Sequence, residues 1–288
     1  PKNRRLSVKF VIDETKDSMI RNLVGAGKNI MLTGATGCGK TSYCYKVGED
    51  LGLDVTVINC GSLQDARTSL LGYFTLEDGN TNFHEAEFIR AIQRPNSLIV
   101  LDELSRASDD AYNILFPVLD HRREIRIDEQ DGGSKVIKAH PTARFISTAN
   151  IGIEYSSTRS IDRALQDRFM SFNIPYITGE ELNDYIFTTE KLTSDGKKRV
   201  AQMSKIYDYS HMLFGKGKIG TRISTRAVLD IVSLLKGRDF SVQQILDHAI
   251  LSQYEQDSST IVNDANVLRE FADSIGIYEP SNNESVNG

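Results

Sequence analysis

The chain has 288 residues, 40% apolar and 25% charged, with a formal net charge of −5. That length is enough to bury a sizeable core in one or two domains, and the composition is that of an ordinary globular protein. No run approaches the ~18 apolar residues of a membrane span, and the acidic balance gives no general pull toward nucleic acid. The start Pro1-Lys2-Asn3-Arg4-Arg5 is basic, but no long apolar stretch follows it, so no secretory leader is expected. Cys38, Cys44 and Cys60 are too few and too widely spaced for a disulfide framework or a zinc site, so reduced thiols in a cytoplasmic protein are the expectation.

The first element is a short apolar strand at Asn29–Thr33, followed by Gly34-Ala35-Thr36-Gly37-Cys38-Gly39-Lys40-Thr41. This reads G-x-x-x-x-G-K-[ST], the phosphate-binding loop of nucleoside triphosphatases. Glycines let the backbone curl so that successive N–H groups face one point, and the following helix adds the partial positive charge of its N-terminus. Lys40 has the reach for the β- and γ-phosphates, and the Thr41 hydroxyl suits Mg²⁺. A helix over Lys40–Leu51, stopped by Gly52, completes the strand–loop–helix order the motif requires. Cys38, inside the loop, reads as a small space-filling residue.

Further strands are expected at Val55–Asn59, Leu98–Leu101, Phe145–Ala149 and Met170–Ile174, with helical segments between most of them. Strands alternating with helices imply a five-stranded parallel sheet covered on both faces, with ligands at the carboxyl ends of its strands. Asp102 and Glu103 close the third strand. Asp102 suits Mg²⁺, held directly or through water, and Glu103 suits polarising the water that attacks the γ-phosphate. Asn150 closes the fourth and offers an amide for orienting water or phosphate. Arg163 and Arg168, in Ser160–Phe169, fit either charge stabilisation on a transferring phosphoryl group in a neighbouring subunit or ordinary surface ion pairs.

From Gly179 to Ile275 the pattern becomes helical. Ala227-Val228-Leu229-Ile231-Val232-Leu234-Leu235 forms one apolar face ending at Gly237, Val242-Ile245-Leu246-Ala249-Ile250 a second, and Val267-Leu268-Phe271 a third. The expected division is an α/β nucleotide-binding domain over 1–178, a small all-helical lid over 179–278 and a disordered tail over 279–288.

Taken together, GATGCGKT, LIVLDE, STAN, ALQDRF and Ser224-Thr225-Arg226 resemble the AAA+ ATPases, most closely the MoxR-like, dynein-related branch, over about Asn29 to Tyr254. The stretch from Asp120 to Phe145 is similar to that branch's hairpin before the sensor strand, and Leu71 to Ala86 to its insertion in the second helix. Where the branch often carries a Gly-Pro-Leu-like turn, this chain has Glu85-Ala86-Glu87-Phe88. The resemblance implies that Gly34, Ala35, Thr36, Gly37, Cys38, Gly39, Lys40, Thr41 and Ser42 cradle ATP. It implies Thr41 and Asp102 on Mg²⁺, Glu103 as the Walker B glutamate and Asn150 as sensor 1. Arg168 is then the trans-acting arginine finger, Arg163 a second candidate, and Arg226 sensor 2. It also implies a ring, usually a hexamer, that remodels a separate protein partner, often one with a von Willebrand factor A domain.

Two other readings stand beside this one. A nucleic-acid motor or loader, like the nuclease-associated GTPase McrB or a branch-migration helicase, draws on Arg122-Arg123-Arg126, Lys197-Lys198-Arg199 and Lys216-Lys218-Arg222, although no aromatic stacking platform accompanies them. A nucleotide-gated scaffold would bind ATP without releasing phosphate. Adenine and guanine are not distinguished by any residue in the chain. His84, His121, His140, His211 and His248 show no ligand spacing, which leaves Mg²⁺ as the one expected metal.

Overall fold

The computed structural model describes residues 12–77, 80–128, 134–150, 167–253 and 264–277. By internal packing they fall into two units, Ile12–Pro175 and a second beginning at Tyr176.

The first unit is built on a five-stranded, all-parallel sheet. Its members are β1 (Ile30–Gly34), β2 (Asp54–Asn59), β5 (Ser97–Asp102), β8 (Arg144–Asn150) and β9 (Met170–Asn173), in the order β2-β5-β8-β1-β9. The central strands β5, β8 and β1 are buried almost throughout, whereas β2 and β9 at the edges are half-exposed. Near-continuous apolar runs such as Leu98-Ile99-Val100-Leu101 arise because a central parallel strand is covered on both faces and cannot alternate. Helices α1 (Glu14–Gly25), α2 (Lys40–Asp50) and α4 (Glu87–Gln93) pack on this sheet. Phe88, Ile99, Leu101, Leu115 and Phe145, all fully buried, centre the core.

Register decides where the strands end. Gly34 of β1 lies opposite Asn150 of β8, and Asn59 of β2 lies opposite Asp102 of β5. The polar residues that close these apolar runs therefore share one edge of the sheet, the edge at which a parallel sheet takes its ligands.

Two antiparallel hairpins interrupt the α/β succession where the family resemblance places insertions. β3 (Gly72–Glu77) pairs with β4 (Asn80–Glu85) between α3 (Ala66–Leu70) and α4. β6 (Glu124–Asp128) pairs with β7 (Ser134–Lys138) between α5 (Asp109–Leu119) and β8. Phe74 and Phe83 face each other across the first hairpin with ring centroids 4.8 Å apart, a cross-strand pair that fixes its register. The segment Glu85–Phe88 closes that hairpin and opens α4, with Ala86 at the N-cap.

The second unit is helical, with its own core of Leu182, Val200, Met203, Tyr207, Leu235 and Leu268. It contains α6 (Gly179–Thr189), which opens with a capping box between Thr178 and Glu181, and the long α7 (Ser194–Gly215). The apolar face expected to run unbroken from Ala227 to Leu235 is divided between two short helices, α8 (Thr225–Asp230) and α9 (Val232–Lys236). The break falls at the β-branched pair Ile231-Val232, which has reduced helix propensity, and both residues are buried there. The next face begins as α10 (Val242–Ile245) and widens into a π turn over Leu246–Ile250, and α11 (Asp264–Ser274) carries the third. Residues 279–288, expected to be a disordered tail, lie outside the described residues. Among the described residues, no helix is long and apolar enough to cross a membrane.

Candidate nucleotide-hydrolysis site

The loop between β1 and α2 has the backbone its glycines allow. Gly39 is the N-cap of α2 at φ +93°, a left-handed conformation that L side chains rarely adopt. At Gly34 a Cβ would lie 2.4 Å from the Ile174 carbonyl oxygen, so only glycine lets the loop pass this close to the end of β9. Thr36 and Ser42 are exposed on the loop and the first turn of α2, while Ala35 and Cys38 are buried beneath them. The Cys38 thiol pKa is raised, chiefly by burial, as befits a space-filling role rather than a reactive thiolate.

Lys40 is 7% exposed and turned inward. Its Nζ donates to the carbonyl oxygens of Gly34 at 3.0 Å and Ala35 at 2.8 Å, and to Asn150 Oδ1 at 2.8 Å. Burial lowers its pKa. A buried ammonium held by three oxygen acceptors and the Cys38 sulfur at 3.8 Å, with no carboxylate bonded to it among the described residues, is poised for an anionic ligand.

The acidic half of the site lies on β5. Asp102 Oδ1 accepts from the Thr41 hydroxyl at 2.8 Å and from the Thr148 hydroxyl at 2.5 Å. The first contact joins the start of α2 to the end of β5. Glu103 leaves the strand at φ +53°, and its N–H donates to Thr148 Oγ1 at 3.0 Å. Its carboxylate is paired with Arg106 at 3.0 Å. Gly61 lies against it, since a Cβ there would be 2.6 Å from Glu103 Oε2. Positive φ at a non-glycine residue is a strained conformation that concentrates at functional sites.

Lys40, Thr41, Asp102, Glu103 and Asn150 are thus brought together. Arg168 stands apart, just before β9. Its guanidinium carbon is 4.6 Å from the centroid of the Phe116 ring, and its carbonyl accepts from Asn29 Nδ2 at 3.2 Å. The same Asn29 amide donates to the Leu119 carbonyl at 2.7 Å, so the end of α5 and the Arg168 backbone are tied together. Arg163 lies outside the described residues. Arg226 is exposed on the first turn of α8, whose N-cap Ser224 accepts from Ala227 N.

Two participants carried no separable sequence signal. Thr148 was visible as a polar residue in an apolar strand, but its bridge to Asp102 and Glu103 depends on strand order. Arg106 follows Glu103 by three residues, a spacing that identifies a partner only once the 3₁₀ turn Leu104–Arg106 is known.

Thr41 and Asp102 offer hard oxygen donors 2.8 Å apart. That set suits Mg²⁺, which is commonly held by one or two protein oxygens together with substrate phosphates. Among the described residues no group of three His, Cys, Asp or Glu side chains forms a metal cage, so the donor set does not suit a structural zinc.

Residues 29–169 match the AAA domain of the dynein-related subfamily. An uncharacterised protein of Staphylococcus saprophyticus is 27% identical over 250 residues, covering 85% of this chain and 91% of its own length. A Thauera aromatica protein named "Putative chaperone BssE" is 28% identical over 234 residues, covering 81% of this chain and 76% of its own. Among solved structures, the Thermotoga maritima RuvB A156S mutant aligns at 15% identity and a TM-score of 0.48, over 88% of this chain and 72% of that one.

Proposed function

We propose that the chain, whose residues 29–169 match the AAA domain of the dynein-related subfamily, is an ATP hydrolase of the AAA class that forms a ring, of MoxR-like type, and couples Mg-ATP hydrolysis to remodelling of a separate protein. The observation that carries this reading is the Thr41–Asp102 contact at 2.8 Å, which sets the phosphate loop against the acidic strand end.

In this reading Lys40 exchanges its carbonyl and amide acceptors for phosphate oxygens. The loop N–H groups and the N-terminus of α2 add fixed positive potential around them. Thr41 and Asp102 are the residues that would hold Mg²⁺, which when bound supplies charge neutralisation at the β- and γ-oxygens. Glu103 holds the attacking water and draws on its proton, and Asn150 orients that water or the γ-phosphate. Arg168 is supplied to a neighbouring subunit's nucleotide, where a guanidinium stabilises charge on the transferring phosphoryl group. Arg226, on the first turn of α8, is the sensor 2 candidate that the family resemblance implies.

A protein partner is favoured over nucleic acid by what the basic clusters do. Arg122 pairs with Asp120 at 3.0 Å. Arg123 donates to the Gly27 carbonyl and lies 5.1 Å over the Phe145 ring. Buried Arg199 donates to the carbonyls of Gly237 and Phe240, and Arg222 stacks on Tyr176 and Phe214. These arginines are engaged with carboxylate, carbonyl and ring partners rather than aligned for a phosphate backbone, while Arg126, Lys197, Lys198, Lys216 and Lys218 of the same clusters are exposed. The relative named as a chaperone points the same way, and a von Willebrand factor A domain protein is the partner type to screen first.

Glu103→Gln tests the reading. It should retain ATP, lose phosphate release by about 10²-fold or more, and accumulate as assembled rings. A variant that stays monomeric with ATP at every concentration would contradict the shared-site mechanism.

A further inference from the structure

We propose that Thr148 is the positioning residue of this ATPase: through one hydroxyl it sets both the Asp102 carboxylate and the backbone from which Glu103 projects. The inference rests on the reading of Asp102 and Glu103 as the metal-side and water-side carboxylates, and it adds a residue on a different strand through which both are held.

Thr148 lies on β8, is 1% exposed, and neighbours the end of β5 because Leu101 is in register with Ser147. Its hydroxyl hydrogen goes to Asp102 Oδ1 at 2.5 Å, and its oxygen accepts the Glu103 N–H at 3.0 Å. The single donor of a threonine hydroxyl is thereby committed, together with one of its acceptor positions.

The Glu103 end of this bridge answers a backbone need. The β5–β8 pairing ends at Leu101 and Ser147, and Glu103 then turns to φ +53°. A backbone N–H at such a turn has no ladder carbonyl opposite it, and leaving it unmade in a partly buried place is unfavourable. Thr148 Oγ1 supplies the acceptor and so stabilises the left-handed turn that aims the glutamate. The Asp102 end answers a side-chain need. Asp102 Oδ1 takes two hydroxyl donors, and the Thr41 hydroxyl is the one that metal binding would recruit. Thr148 is the donor that remains to hold the carboxylate's rotation. β-Branching restricts χ1, so the hydroxyl is held in one direction.

The neighbouring residue provides a matched comparison. Ser147 is also fully buried, but its hydroxyl finds no hydrogen-bond partner among the described residues. Two adjacent hydroxyls on one strand therefore differ in whether they touch the acidic pair.

The test measures phosphate release against ATP at several Mg²⁺ concentrations, binding of a fluorescent ATP analogue, and Tm, for Thr148→Val, Thr148→Ser, Ser147→Ala and Glu103→Gln. Thr148→Val should fold and bind the analogue nearly as the parent does, with kcat lower by about 10- to 100-fold, the range for losing a partner that orients a metal ligand. Thr148→Ser should recover most of that loss, and Ser147→Ala should turn over like the parent. Adding Thr148→Val to Glu103→Gln should lower kcat by much less than it does alone, because one route to the water is already gone. Thr148→Ala removes the hydroxyl with less bulk and serves if valine does not fit. Parent-like kcat in a folded Thr148→Val or Thr148→Ala chain overturns the proposal, as does a serine variant as impaired as the valine. Parent-like turnover in Glu103→Gln would instead remove the underlying reading of the glutamate.

Discussion

The Lys40 ammonium donates to Asn150 Oδ1 at 2.8 Å, joining the phosphate loop to the end of β8 across the registered pair Gly34 and Asn150. Asn150 therefore has an occupation before any nucleotide arrives, as one of three oxygen acceptors on a buried cation. A polyphosphate at Lys40 would compete for this contact, and losing it would free the Asn150 amide for the γ-phosphate or the water. Asn150→Ala should lower kcat by about 10²-fold, comparable to deleting one preorganised polar contact to developing charge. Its affinity for a fluorescent ATP analogue should be unchanged or tighter, because Lys40 has one acceptor fewer to leave. Equal losses of binding and turnover would instead mark Asn150 as a ground-state contact.

Gly61 lies against the Glu103 carboxylate. A Cβ there would lie 2.6 Å from Glu103 Oε2, and the atom that must yield is the far end of a side chain rather than backbone. Gly61→Ala should accordingly keep the fold and its Tm while displacing the carboxylate. A displacement of about 1 Å in a reacting group is of the size that costs ~10²-fold in rate. Phosphate release and analogue binding on the same sample separate the two effects, and parent-like turnover would show that Glu103 does not act from its observed position.

The helical unit carries a separate, pH-dependent contribution. His211 Nε2–H donates to the Ile223 carbonyl at 2.8 Å, with the Tyr176 and Tyr207 rings against the imidazole. Burial, opposed by the Ile223 carbonyl and assisted by the Arg222 charge, lowers its pKa from 6.5 to about 4. Between those values the unfolded chain takes up a proton that the folded chain refuses, so this residue's contribution makes stability fall as pH drops from 6.5 to 4. His211→Gln retains a donor and removes the titration. Its Tm should decline less across that window, by a few degrees. A decline as steep as the parent's would place the acid sensitivity elsewhere.

The sheet and the acidic edge were legible because central parallel strands are apolar runs, and the polar residue that ends each run is the one that reaches the ligand edge. Gly34, Asp102, Glu103 and Asn150 could be picked out one at a time on that basis. What joins them could not. The Thr148 bridge follows from β8 lying beside β5, and strand order has no local signature. The Arg106–Glu103 pair follows from a single 3₁₀ turn. The division of the Ala227–Leu235 face at Ile231 was hidden because hydrophobic periodicity continues through the break, and periodicity reports which side is buried rather than whether the axis bends. The partners within the basic clusters were hidden for a related reason: a run of basic residues in sequence does not show that Arg123 and Arg199 turn inward to carbonyls.

Arg168 supplies the most direct test of the central claim, because it packs on Phe116 at a place separate from its own chain's Lys40, Asp102 and Glu103 cluster. Lys40→Ala removes the phosphate contact, and Arg168→Ala removes the proposed trans contact, each expected to lower phosphate release by about 10³-fold. The two variants should then be mixed and phosphate release measured. If the site is shared between subunits, each variant is inactive alone and the mixture regains turnover, because an intact Lys40 on one chain meets an intact Arg168 on the next. A mixture that stays inactive, although both variants are folded and co-assemble, would contradict the shared site.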